Sequence, residues 1–171
     1  MTPLRIALLD QAGTGRAREL DAALRQAGHE PRLFGSRALA PVEGLLRRRG
    51  FTPALSHVPL ALVDLLRAEF DVAHAFSAPD AMAALAWRRA RGGAVVFTSA
   101  QPLERANVAN GRLRLATLTR ALDDPDAVLA ADEEVRASVE RWFALSLTVL
   151  SPADAEAHER LYRKLLGGAG G

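Results

Sequence analysis

The stretch from Glu69 to Thr98 constrains the fold more than any other part of the chain. Phe70-Asp-Val-Ala-His-Ala-Phe76 is a short apolar run, preceded by Arg67 and Glu69 and followed by Ser77-Ala-Pro-Asp80. That is the pattern of a buried strand that stops at a loop. Pro79 and Asp80 suit the first turn of a helix over Ala78–Arg91. Proline loses no hydrogen bond there, and a carboxylate is favoured at the positive end of the helix dipole. Ala94-Val-Val-Phe-Thr98 is the next strand. Strand, helix and strand make one complete β-α-β unit, which joins parallel strands by a right-handed crossover.

The rest of the chain repeats this alternation. Leu4–Leu9 reads as a first strand ended by Asp10, Gln11–Gly15 as a loop with two glycines, and Ala17–Ala27 as a helix stopped by Gly28. His29–Phe34 is the second strand, which Pro31 allows to begin only after that residue. Gly35–Ser56 is irregular, with a short helix over Pro41–Arg49, and His57–Ala68 carries apolar residues at helical spacing. After the central unit, Gln101–Leu122 reads as a helix, Asp126–Ala130 as a strand, Asp132–Phe143 as a helix and Leu145–Leu150 as the last strand. Ser151 caps a closing helix to about Leu166, with Pro152 at its first position and Asp154 in its first turn. The expected fold is α/β: a Rossmann-like, doubly wound, mainly parallel sheet of about six strands in three layers, with the C-terminal helix docked back. Residues 1–166 form one domain of this kind, and 167–171 are expected to be a flexible tail.

Composition excludes several function classes. There is no cysteine, so disulfides and thiolate metal sites are ruled out. The net charge is only +2 although the pI is about 9.9, because arginine supplies all but one of the 22 basic residues. Those residues are spread along the chain with one local run at Arg47-Arg-Arg49, and no basic stripe carries interleaved aromatics. Nucleic acid is therefore not an expected partner. No apolar run approaches the roughly 18 residues that span a bilayer, and membrane contact is expected to be peripheral at most. The acidic end of Met1–Asp10 fits a first strand rather than a signal peptide, and a cytoplasmic location is expected.

Few residues stand out chemically. Gly13-Thr-Gly15 lies between a strand and a helix, so its amides could approach an anion, or the glycines could serve only a tight turn. The loop matches neither the dinucleotide fingerprint nor the P-loop. His74, flanked by alanines near the carboxyl end of its strand, is either a core histidine satisfied by the protein or a cleft residue. Asp10 occupies the equivalent end of the first strand and could cap the glycine turn. None of His29, His57, His74 and His158 has a second histidine at metal-ligand spacing, so neither metal nor cofactor is expected. Arg105 and Arg112, seven apart, could share a helix face.

Taken in order, Arg5–Asp10, the glycine loop, Ala27-Gly-His-Glu30, Asp71-Val-Ala-His74, Val95-Val-Phe-Thr98 and Ala121–Arg136 resemble the N-terminal half of family-four retaining glycosyltransferases of the GT-B fold. The resemblance covers residues 4–150. It implies an acceptor-side domain that works against a second, donor-binding domain, with a nucleotide sugar and a sugar or lipid acceptor meeting in the cleft between them. Gly13, Thr14 and Gly15 would lie near the donor phosphates. His74 would stand beside the cleft as the catalytic candidate, with Asp10, Thr98, Ser99 and Arg105 on the acceptor side. Ala157–Leu166 resembles the closing helix that crosses back onto the N-terminal domain of such enzymes. The partner implied is a separate donor-domain protein, or a second copy of the chain.

The departures bear on activity. Where the family has a second histidine after Asp-Val-x-His, this chain has Phe76; after Thr98-Ser99 it has Ala100 in place of histidine; and after the fifth strand it has Ala131 in place of serine. Glu133 and Glu140 are seven apart, one short of the family's glutamate pair. Phe76 and Ala100 cannot exchange protons. Two readings stay open: an enzyme half that is inactive on its own, and a non-catalytic binding or regulatory module that kept the fold.

Overall fold

The computed structural model describes residues 2–35, 53–105 and 111–168. The short helix expected over Pro41–Arg49 and most of the Gly35–Ser56 stretch lie outside the described residues. In chain order the elements are β1 (Arg5–Asp10), α1 (Arg16–Gln26), β2 (Glu30–Gly35), α2 (Pro53–Leu66), β3 (Val72–Ala75), α3 (Ala78–Arg91), β4 (Ala94–Ser99), α4 (Arg112–Asp123), β5 (Ala127–Ala130), α5 (Glu133–Trp142), β6 (Thr148–Val149) and α6 (Ala155–Gly168). The strands form one sheet in the order β2-β1-β3-β4-β5-β6, and every pair is parallel.

Strand parity divides the core in two. Ala7, Leu9, Ala73, Ala75, Val95 and Phe97 face one side, where they pack against α2, α3, α4 and α5. Ile6, Leu8, Val72, Phe76 and Val96 face the other, against α1 and α6. Central strands covered on both faces have no polar side, which is why β3 and β4 are buried at every position. The docked closing helix is therefore half of a layer. Leu161, Leu165 and Leu166 pack on the core, and Tyr162 is fully buried in it.

The residues just before the strands tie neighbouring strands together. Asp71 Oδ2 accepts the Arg5 amide at 2.8 Å, Asp126 Oδ2 accepts the Val95 amide at 2.7 Å, and His29 Nδ1 accepts the Leu4 amide at 3.3 Å. Each side chain satisfies a strand-end donor that would otherwise lack a partner.

The differences from expectation fall at edges and breaks. β2 includes Pro31, because an edge strand pairs on one side only and the missing amide breaks no ladder. β6 shrinks to two residues at the opposite edge, where Glu140 Oε1 instead accepts the Leu147 amide at 3.2 Å. The helix expected over Gln101–Leu122 is interrupted at Gly111: α4 begins at Arg112, Arg105 is helical ahead of it, and residues 106–110 lie outside the described part. Arg105 belongs to a separate segment, so it does not share a face of α4 with Arg112. α6 continues through Gly168, two residues into the expected tail, while residues 169–171 lie outside the described part.

One glycine admits no side chain. Gly93 has φ +90°, and a Cβ there would sit 2.5 Å from the Trp87 ring and 3.0 Å from the Asp71 carbonyl oxygen. Trp87 is buried, so its ring has no room to retreat. Gly93→Ala is expected to destabilise the fold by about 2 kcal/mol or more, measured by urea unfolding. At Gly92, where a Cβ would meet nothing, the same substitution should cost less.

Candidate functional site

The chain leaves β1 toward β2 on one side and reaches β3 on the other, so the sheet order reverses between β1 and β3. Open α/β sheets place ligands in the crevice beyond the strand carboxyl ends at such a point. A cleft of about 710 Å³ lies there, built from the loops that follow β1, β3 and β4 and closed by α4. That is the size of a small-molecule site.

Two carboxylates shape its rim. Asp10 accepts the Thr14 amide and hydroxyl, both at 3.1 Å, and so folds the glycine loop back on its own strand. Gly15 takes φ +80° as the N-cap of α1, a conformation that few other residues adopt. Asp80 is wholly buried at the start of α3. Its Oδ2 accepts the Gln11 amide at 3.0 Å and the Ser77 hydroxyl at 2.7 Å, and its Oδ1 lies 2.8 Å from His57 Nε2 of α2. One carboxylate thus joins the β1 loop, the β3 loop and α2. Arg16 adds a third tie, reaching Asp132 at 2.6 Å and the Ala131 carbonyl at 3.4 Å.

The candidates from sequence separate into three groups. Thr14 and Ser99 line the cleft. Asp10 positions the loop, while Gly13 and Gly15 give it its turns without lining the cleft. His74, Thr98 and Arg105 are not on the lining. Arg105 is exposed beyond it. His74 and Thr98 point through the other side of the sheet: His74 Nε2 is 2.6 Å from Thr98 Oγ1, and Nδ1 is 2.7 Å from the Tyr162 hydroxyl of α6. The His74 ring has no solvent exposure, and Phe76 stacks on it at 4.6 Å between centroids. Both nitrogens are engaged, so we read His74 as the anchor of α6 and not as a cleft base. Phe76 and Ala100, the two family departures, do line the cleft. Asp80 and His57 were not singled out as site residues, and their contact across 23 positions left no local trace in the sequence.

Burial fixes the charge states behind the sheet. Burial, and then the nearby His158, push the His74 pKa well below its usual value. Burial lowers His158 to about 4, outweighing the Ser151 backbone and the Asp154 carboxylate, which act to raise it. Burial raises Tyr162 far above the usual phenol value. Both histidines therefore hold the neutral form in the fold and accept protons more readily when unfolded. The stability they protect is complete above about pH 6.5 and declines as pH falls toward 4. His158 alone accounts for about 3 kcal/mol over that window. Urea midpoints measured from pH 7 to pH 4 should fall, and His158→Gln should flatten the slope.

Among the described residues, no group of three or more histidine, aspartate or glutamate side chains could hold a metal ion, and no helix is long and apolar enough to cross a membrane. No protein-family model and no curated protein matches the chain. Among solved structures, the chain is similar to sucrose-phosphate synthase from Thermosynechococcus elongatus. The two are 17% identical with a TM-score of 0.67, over 94% of this chain and 98% of that one. At this identity the likeness shows the fold alone: a Rossmann-like α/β domain.

Proposed function

We propose that the chain is the acceptor-side half of a GT-B glycosyltransferase, and that it transfers a glycosyl group only together with a donor-binding domain. The observation that carries this reading is the cleft. It lies at the sheet edge where such a domain meets its ligands, yet among the described residues its lining holds no carboxylate and no histidine. The likeness to sucrose-phosphate synthase, an enzyme named for a phosphorylated sugar product, supports it over most of the chain. Phe76 and Ala100 sit where the resembling family has groups that exchange protons or form hydrogen bonds. A half that holds its substrate must then obtain donor phosphates, proximity and any proton transfer from the facing domain.

The second reading, a binding or regulatory module that kept the fold, draws on the same apolar substitutions. Reconstitution separates the two. A donor-type domain that copurifies with the chain should give transfer from a nucleotide sugar that neither protein shows alone. A copurifying enzyme whose transfer is already complete without this chain would favour the module.

A further inference from the structure

The cleft has a distinctive balance of polar groups. Among the described residues, the four hydroxyls on its lining turn their protons inward: Thr14 to Asp10 at 3.1 Å, Ser77 to Asp80 at 2.7 Å, Thr117 to the Leu113 carbonyl at 2.8 Å, and Ser99 toward the Gln101 carbonyl at 3.5 Å. A hydroxyl has one proton, so these groups face the cleft with lone pairs only. Among the described residues, Arg114 is the one charged side chain on the lining. No hydrogen bond or ion pair engages it among the described residues. Arg5, Arg16 and Arg88, by contrast, each close on a carboxylate. Around Arg114 the wall is apolar, with Phe76, Phe97, Leu103, Leu113 and Leu118. Leu113 is 61% exposed, and so offers apolar surface that the fold itself leaves uncovered.

We propose that the cleft takes an amphipathic acid: an apolar body lying against the phenylalanines and leucines, with one phosphate or carboxylate on Arg114. Resting on the acceptor-side reading, this names the acceptor class. A free sugar ring presents hydroxyl oxygens all round and is matched by a ring of polar groups, whereas the described lining is mostly apolar, with Arg114 and the amide side chains of Gln11 and Gln101 as its side-chain donors. An alkyl or aromatic body needs none, and a single anion matches a single guanidinium.

The test is calorimetric titration of the folded chain with decyl phosphate below its micelle concentration, with decanol, with inorganic phosphate, and with phosphatidylglycerol vesicles. Arg114→Gln is compared with the parent chain and with Arg120→Gln, a change on the same helix outside the lining. Decyl phosphate should bind the parent chain and Arg120→Gln alike, and Arg114→Gln at least about tenfold more weakly, with partial recovery in Arg114→Lys. Decanol and inorganic phosphate should each bind at least about tenfold more weakly than decyl phosphate. The proposal is overturned if Arg114→Gln binds as the parent does, if inorganic phosphate alone binds as tightly, or if vesicles bind while monomeric decyl phosphate does not. Transfer to a neutral free sugar by a reconstituted pair would overturn it while leaving the proposed function standing. Failed reconstitution with Arg114-dependent binding intact would do the reverse.

Discussion

Tyr162→Ala is expected to remove about 4 kcal/mol of stability, the largest loss from any single side chain of α6. Tyr162 has no exposed surface and sits in the layer that covers Leu4, Ile6, Leu8 and Val72. Its ring lies edge-on to His74, at 6.0 Å between centroids, and 5.9 Å from His158. Truncation opens a cavity the size of a phenol ring, and also strips the partner from His74 Nδ1. Tyr162→Phe isolates the second effect. The cavity stays filled while a buried ring nitrogen loses its partner, at a cost of about 1–3 kcal/mol. A chain cut after Leu150 loses the whole layer and should melt below the full chain. Urea unfolding of the three variants measures this. Equal midpoints for the full and shortened chains would mean that α6 is not held in the manner described.

Asp80→Ala is the second large effect, about 3–5 kcal/mol, because removing one member of a buried polar pair leaves the others without partners. The Gln11 amide and the Ser77 hydroxyl lose their acceptor together, and His57 loses the carboxylate 2.8 Å from its Nε2. The same change should slacken the cleft, since Gln11 and Ser77 both line it. Asp80→Asn retains one carbonyl acceptor and should fall between the two. Unfolding measures the first consequence, and decyl phosphate titration of the Asp80→Asn chain measures the second. Unchanged binding in Asp80→Asn would show that this carboxylate supports the fold without shaping the cleft.

The sequence was most legible where a single element carried its own signals. Ala78–Arg91 matches α3 at both ends, because Ser77, Pro79 and Gly92 mark its boundaries locally. β4 was legible from its unbroken apolar run, since a strand covered on both faces has no alternation to misread. The double role of Asp80 was not legible, because a helix cap explains it locally and its partner His57 arrives from another element. His74 shows a different limit. Its position near the carboxyl end of β3 could be read, but its face depends on strand parity, and parity turns it toward α6 while Phe76 stands over it. A signal was present in His158 and Tyr162, one turn apart on an otherwise apolar helix face. Buried polar side chains there require a polar partner across the sheet. Arg114 could not be singled out, because nothing in a run of three arginines along one helix tells which of them faces a cleft.

The stability effects and the cleft chemistry meet in the proposed function, in which this chain holds a ligand and needs a second domain to complete a transfer. The most direct test is a donor-hydrolysis and transfer assay on the purified 171-residue chain with a panel of nucleotide sugars, offering decyl phosphate and free sugars as acceptors. No turnover above the uncatalysed rate is expected, because among the described residues no carboxylate or histidine lines the cleft. Measurable turnover by the chain alone, abolished by a substitution on the cleft lining, would contradict it.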